Sequence, residues 1–201
     1  VDAFHEVKIL KSLGSIKTIS MSEYRPPFLD KVEQWNKFNE FSGGTFVEKC
    51  CHYFDLINLL ADGQPKDVFA SGGQAVNFLN FAHEGRKSDI DDHGFAIINY
   101  RNGIRANFTL NMFANEFYEE LVITGEKGRL VASEKASADK KRQTKASIMV
   151  EVEGHQHYEG SKIGYPPSIE KSGHHGATFF EHEALISQLQ QKEVDAATPR
   201  Q

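Results

Sequence analysis

The spacing of hydrophobic residues changes twice along this sequence. Residues 16–24 alternate, with Ile16, Thr18, Ser20, Ser22 and Tyr24 on one side and Lys17, Ile19, Met21 and Glu23 on the other, which predicts a strand ended by Pro26-Pro27. An aromatic-rich loop with Phe28, Trp35 and Phe38 follows and closes at Ser42-Gly43-Gly44. Over residues 45–61 the period becomes helical, stopped by Asp62-Gly63 ahead of Pro65. Beyond Pro65 the period returns to two, and segments 67–78, 93–100, 104–113 and 118–124 are rich in β-branched and aromatic residues. The cleanest is the third, where Ile104, Ala106, Phe108, Leu110 and Met112 alternate with Arg105, Asn107, Thr109 and Asn111, giving one apolar and one polar face. Asn102-Gly103 predicts a hairpin turn between the second and third segments, and Gly125-Glu126-Lys127-Gly128 another leading into residues 129–133. Residues 147–153 form a further strand, and 178–191, with Phe179, Phe180, Ala184, Leu185 and Leu189 at helical spacing, a closing amphipathic helix. Residues 135–145 and 154–176 read as loops, and Gly72-Gly73 as a bulge or twist point. Strands in series with few helices indicate an α+β fold, an open, mostly antiparallel sheet of six or more strands with helices packed on one face, in a single domain of residues 1–201.

Composition narrows the function classes. The chain has 201 residues, 39% hydrophobic and 25% charged, a balance that supports a packed core and argues against disorder. No run approaches about eighteen apolar residues and the opening residues mix charged with apolar side chains, so neither a membrane span nor a signal peptide is expected. Net charge is -5 and, outside residues 135–145, Lys and Arg are scattered among acids, which argues against a nucleic-acid partner. The two cysteines, Cys50 and Cys51, are adjacent and cannot staple distant segments. They read as small buried residues of a reduced, cytoplasmic protein.

The helical segment carries the candidate chemistry. At about 100° per residue, Glu48, His52 and Asp55 fall within roughly 60° of arc, a carboxylate–imidazole–carboxylate stripe, while Val47, Cys51, Phe54, Ile57 and Leu60 fill much of the remainder. Such a helix is expected to be mostly buried, with its ionisable stripe paired or facing a cleft. Two readings stand, a proton-handling site or a simple pair of side chains one helical turn apart. Lys31, Trp35 and Asn36 in the preceding loop offer an aromatic face and polar donors suited to a polyhydroxylated ring, or else Trp35 merely packs. Tyr24 and Arg25, at the end of the first strand, are placed at the same cleft. His155, His157, His174 and His175 lack metal-ligand spacing and read as exposed loop residues, so no metal site is expected. Neither G-x-G-x-x-G nor G-x-x-x-x-G-K-[ST] occurs, so the chain alone holds no dinucleotide cradle.

Gly43-Gly44, Glu48, His52 and Asp55 spell G-G-x-x-x-[acid]-x-x-x-H-x-x-D, which resembles the substrate-domain motif of the Gfo/Idh/MocA family of oxidoreductases. The opening Leu13-Gly14-Ser15-Ile16-Lys17, the strand-rich centre, the turn at 123–128 and His175-Gly176 before a helix follow that family's order, so the resemblance spans nearly the whole chain. It implies the C-terminal domain, dihydrodipicolinate-reductase-like or GAPDH-like in fold, of an enzyme whose N-terminal Rossmann domain is absent from this chain and binds NAD or NADP. It further implies hydride transfer from a sugar, inositol-like polyol or related secondary alcohol. Separately, the polar strand face Arg105, Asn107, Thr109 and Asn111 offers a surface to another subunit, so a homo-oligomer through the sheet face is expected. His52 then matches the residue that takes the substrate's hydroxyl proton, and Glu48 stands where many members have Asp. The family's catalytic lysine belongs to a Glu-Lys-Pro segment that this chain lacks. Lys49 joins the substrate-binding candidates, although it projects about 100° from Glu48 and does not stand in for that lysine. Two alternatives remain: a non-catalytic oligomerisation or ligand-binding module, and an NAD-dependent glycoside hydrolase of the same family.

Overall fold

A computed structural model describes residues 7–136, 145–152, 155–159, 167–170, 172 and 177–190. The chain divides into two units, Val1–Lys162 and Ile163–Gln201. In the first, a short helix α1 (Val7–Ser12) leads into β1 (Ile16–Tyr24). A 3-10 segment (Val32–Lys37) and helices α2 (Asn39–Ser42), α3 (Thr45–Glu48) and α4 (Cys51–Ala61) follow. Strands β2 (Pro65–Gly73), β3 (Ala82–His83), β4 (Arg86–Lys87), β5 (His93–Tyr100) and β6 (Arg105–Asn111) come next. The unit ends with β7 (Phe117–Gly125), β8 (Gly128–Ala136), β9 (Lys145–Val152) and β10 (His155–Glu159). The second unit contains α5 (Pro167–Glu170) and α6 (Ala177–Leu189).

Eight strands form one open sheet in the order β10-β9-β8-β7-β1-β6-β5-β2, and β3 pairs with β4 apart from it. Neighbours in the large sheet are antiparallel except β1 and β6, which run parallel. Alternation sets its two faces. Ile19 and Met21 of β1, Ala106, Phe108 and Leu110 of β6, Ala96 and Ile98 of β5, and Leu121 and Ile123 of β7 share the covered face and form the core with Tyr53, Ile57, Leu60 and Ala61 of α4. Phe108 lies at its centre, stacked on Tyr53 at 5.2 Å and edge-on to Phe54 and Phe46. The opposite face carries Ser20, Ser22, Arg105, Asn107 and Thr109 beside the exposed Phe95 and Ile97.

The α+β expectation holds, with eight strands in the open sheet, but several elements differ from the pattern reading. The helix expected over 45–61 is two pieces: the Lys49 N–H closes α3 on the Thr45 carbonyl, and α4 starts afresh with Tyr53 and Phe54 both donating to the Cys50 carbonyl. Its core-facing series, Phe46, Cys50, Tyr53, Ile57 and Leu60, runs through the break, so the amphipathic period survives it. Burial assigned by residue type fails on the outer face, where Val47, Cys51 and Leu59 are exposed in this chain. The strand expected over 67–78 stops at Gly73, and the loop reading of 154–176 gives way to β10, which places His155 and His157 on a strand. His174 and His175 lie outside the described residues. Among the described residues no helix is long and apolar enough to cross a membrane.

Gly72-Gly73 is no bulge, for Gly72 and Gly94 face each other in unbroken register. Their role is close approach: a Cβ on Gly94 would stand 2.6 Å from the Phe46 ring, and one on Gly72 3.1 Å from it. The bare backbone pair is the floor on which α3 lays Phe46. Gly94→Ala is therefore expected to destabilise the fold by about 1–3 kcal/mol through overpacking, measured by urea unfolding, with Gly73→Ala, where a Cβ would meet nothing nearer than 3.4 Å, as the comparison.

Candidate active site

The first component is an acid out of place. On β1 the covered-face series Ile19, Met21 is continued by Glu23, which puts a carboxylate where alternation calls for an apolar side chain, 1% exposed. Its Oε1 accepts a hydrogen bond from Arg25 Nη1 at 3.2 Å, and its Oε2 is buried with no partner. Arg25 is itself buried, with Phe28 and Phe117 rings 5.9 and 5.1 Å from its guanidinium carbon and its Nε donating to the Pro26 carbonyl. Across the ladder Glu23 stands opposite Glu119 of β7, whose Oε1 accepts from the Tyr53 hydroxyl of α4 at 2.5 Å.

Burial pushes the Glu23 carboxyl above its ordinary value; the Arg25 charge opposes this and Glu119 reinforces it. Burial likewise raises the Cys50 thiol and the Tyr53 hydroxyl, so both stay neutral and Cys50 is no nucleophile. The charges of Glu23 and Glu48 raise the Cys50 thiol further and that of Arg25 opposes them. Glu48, the last residue of α3, is half-buried, and its Oε2, like that of Glu23, is shut off from solvent without a partner. His52 follows on the first turn of α4, exposed together with Cys51 and Asp55. The stripe is thus graded: Glu48 has one carboxylate oxygen shut off from solvent, while His52 and Asp55 are exposed.

The remaining sequence candidates separate. Lys49 is half-buried in the turn between α3 and α4. Lys31 is exposed at the start of the 3-10 segment, and Trp35 is half-buried on it. Asn36 is buried and donates to the Leu29 carbonyl at 3.0 Å, so it braces the loop instead of offering a ligand contact. Tyr24 lies on the open face against Tyr118, ring centres 6.2 Å apart, on the other side of the sheet from α4. Of the candidates, the structure joins Arg25 to residues the sequence reading did not single out: Glu23, Tyr53 and Glu119. The phase of Glu23 with Ile19 and Met21 was a visible signal for the first of these; Tyr53 and Glu119 carried none, because their meeting depends on the β1–β7 register.

Two shallow grooves lie elsewhere, one of about 520 Å³ on the open sheet face beside Phe95 and Ile97, the other of about 490 Å³ along α6. Neither is lined by Glu48 or His52. The Gly72-Gly73 pair lies inside β2 with no helix after it, so the described residues do not fit the phosphates of a dinucleotide.

An open, mostly antiparallel sheet backed by a motif helix is the substrate-domain architecture of a class of oxidoreductases, and the sequence comparison agrees. The family model described as "Oxidoreductase family, C-terminal alpha/beta domain", that of Gfo/Idh/MocA, matches residues 8–201, and the chain belongs to this family. A curated relative, YteT of Bacillus subtilis (strain 168), is 32% identical over 68 residues, 33% of this chain and 15% of that protein. Among solved structures, levoglucosan dehydrogenase in complex with NADH and L-sorbose superposes with TM-score 0.65 at 15% identity, covering 92% of this chain and 53% of that one. The aldose-aldose oxidoreductase from Caulobacter crescentus complexed with glycerol gives 0.60 at 14% identity over 96% and 52%. The WlbA dehydrogenase from Bordetella pertussis, in complex with NADH and UDP-GlcNAcA, gives 0.58 at 16% over 99% and 51%. The chain spans about half the length of these solved structures.

The raised Glu23 carboxyl has a pH signature. A group whose folded value lies above its unfolded one stabilises fully below about pH 4.5 and loses that contribution as pH rises through the folded value. Glu23→Gln, which keeps shape without the titration, is expected to gain stability relative to wild type as pH increases from 4 to 8, measured by chemical unfolding across that range.

Proposed function

We propose that this chain is the substrate-binding and proton-handling domain of an NAD(P)-dependent oxidoreductase acting on a sugar, polyol or related secondary alcohol. The observation that carries the reading is the placement of Glu48 and His52 on successive helical turns, one with a buried, unpartnered carboxylate oxygen and the other open to the outside, in a family of oxidoreductases. Since His52 is exposed on this chain, the reading requires a second surface, and a Rossmann domain that binds the cofactor is the partner that family membership suggests. A bound nicotinamide supplies the hydride acceptor; everything else in the proposal concerns this chain's own side chains.

His52 takes the proton from the reacting hydroxyl, its exposed ring being free to meet a substrate held between the two domains. Glu48 accepts a hydrogen bond from a neighbouring hydroxyl, for which its unpartnered Oε2 has the capacity. Arg25, clamped by Glu23 and two aromatic rings, fixes the charge beside it. Trp35 and Lys31, on the 3-10 segment, are the side chains placed to meet the rest of a polyhydroxylated ligand. Lys49, in the turn, stays a candidate contact. The test is NAD(P)-dependent turnover on a polyol panel with the upstream domain in place. His52→Ala is expected to lower kcat by about 10²–10⁴-fold, and wild-type activity in that variant overturns the assignment. A redox-neutral cleavage product would move the protein to the glycoside-cleaving branch instead.

A homo-oligomer is proposed on a separate observation. Phe69 of β2 and Phe95 and Ile97 of β5 sit at neighbouring register positions on the open face, 63%, 57% and 50% exposed. A patch of large apolar side chains of this kind marks an interaction surface, and a second copy of the same sheet is self-complementary to it. Ile97→Asp is expected to shift the protein toward monomer in sedimentation velocity while leaving its circular dichroism unchanged; an unchanged sedimentation profile counts against the sheet-face interface.

A further inference from the structure

The loop that precedes the motif, residues 26–44, is held by the stretch 74–92 through a series of specific contacts. Lys37 is buried, its Nζ donating to Asp30 and Gln34 and lying over the rings of Phe78 and Phe81 at 4.8 and 4.5 Å. Asn39 bonds twice to Asp89, through its backbone N–H to the carboxylate at 2.8 Å and through its Nδ2 to the carbonyl at 2.7 Å. Arg86 pairs with Glu40 at 2.9 Å and covers the Phe41 ring. Behind this seam Asp92, buried, accepts the backbone N–H groups of Ala75, Val76 and Asn77 at 2.7–3.0 Å and so fixes where the 74–92 stretch begins.

One position along the seam is unfinished. Glu33 on the 3-10 segment faces His83 and Glu84 at the β3–β4 turn, and one carboxylate oxygen from each glutamate and one ring nitrogen of His83 lie within 4.8 Å of one another. The Nε2 of His83 is cut off from solvent and has no hydrogen-bond partner, an unfavourable state for a polar atom. Among the described residues no Lys or Arg forms an ion pair with Glu33 or Glu84, whereas Glu40 is paired with Arg86. Two carboxylates and an imidazole brought together from two segments, with one nitrogen of that imidazole buried and unpartnered, make a donor set for a divalent ion.

We propose that Glu33, His83 and Glu84 bind a divalent first-row metal ion, zinc in preference to magnesium, that clips the 3-10 segment to the β3–β4 hairpin. Imidazole favours zinc over the hard cation, and a fourth position is left for water as in other three-ligand sites. A tetrahedral ion with bonds of about 2.0–2.1 Å holds its ligands about 3.3–3.4 Å apart. The exposed side chains of Glu33 and Glu84 can rotate to close that difference while the backbone seam stays in place. The clip lies outside the Glu23 and Arg25 pair, and its effect would be to set the rigidity of the segment that bears Lys31 and Trp35. It stands whether or not the redox reading is correct.

Calorimetric titration of the metal-stripped protein with zinc chloride tests it directly. One saturable equivalent per chain is expected, accompanied by a rise in Tm, and unaffected by millimolar magnesium. Both effects are expected to disappear in His83→Ala and in the double variant Glu33→Gln/Glu84→Gln, whose altered side chains are exposed and leave the fold intact by circular dichroism. Absence of a saturable equivalent in wild type overturns the proposal. So does zinc binding that persists in the double variant, since the ion would then be held by other side chains.

Discussion

A desolvated carboxylate beside a single guanidinium governs this domain's candidate site. Glu23 occupies a core position of the central strand β1, where an isolated charge is costly, and it is tolerated because Arg25 reaches back two residues to meet it. Glu119 arrives opposite it from β7, and its charge joins burial in favouring the neutral form of Glu23 while Arg25 opposes them. Tyr53 links the two levels of structure, since its ring stacks on Phe108 in the core while its hydroxyl serves Glu119. Core packing and site electrostatics are therefore one system here, and a change in the position of α4 would be felt in both.

Much of the fold was legible because alternation is a local property. Ile104 to Met112, the Asn102-Gly103 turn and the Gly125 to Gly128 turn each declare themselves within a few residues, and each joins or forms the antiparallel neighbours expected of it. The motif helix was legible in period but not in continuity, since the break at Lys49 and Cys50 leaves no mark in the sequence of apolar residues. Glycine was misread at 72–73 for a related reason: the meaning of a residue without a side chain lies in what comes close to it, here Phe46 and Asp91.

The site was legible only where its residues are near one another in sequence. Glu48 and His52 are set by helical spacing, and Glu23 shows itself as an acid in an apolar phase. Asn36 and Tyr24 were placed by proximity along the chain, and the structure turns one into the loop's interior and the other to the far face of the sheet. The seam between residues 26–44 and 74–92 was out of reach altogether, because Lys37 with Phe78 and Phe81, or Asn39 with Asp89, are pairings made by tertiary contact alone. That seam holds the aromatic loop in place through contacts between segments more than through any one motif.

The parallel pairing of β1 with β6 bears on how the chain assembles. Thr18 of β1 pairs with Arg105 of β6 on one side and with Thr124 of β7 on the other, so both neighbours are supplied from far downstream, a high contact order. The β5–β6 and β7–β8 hairpins can close locally, but β1 must then be threaded between β6 and β7. Glu23 meets Glu119 only once that insertion has occurred. A nascent chain that has emerged as far as Asp62 already carries the complete motif helix, yet the strand that would bring Glu119 under Tyr53 has not been made.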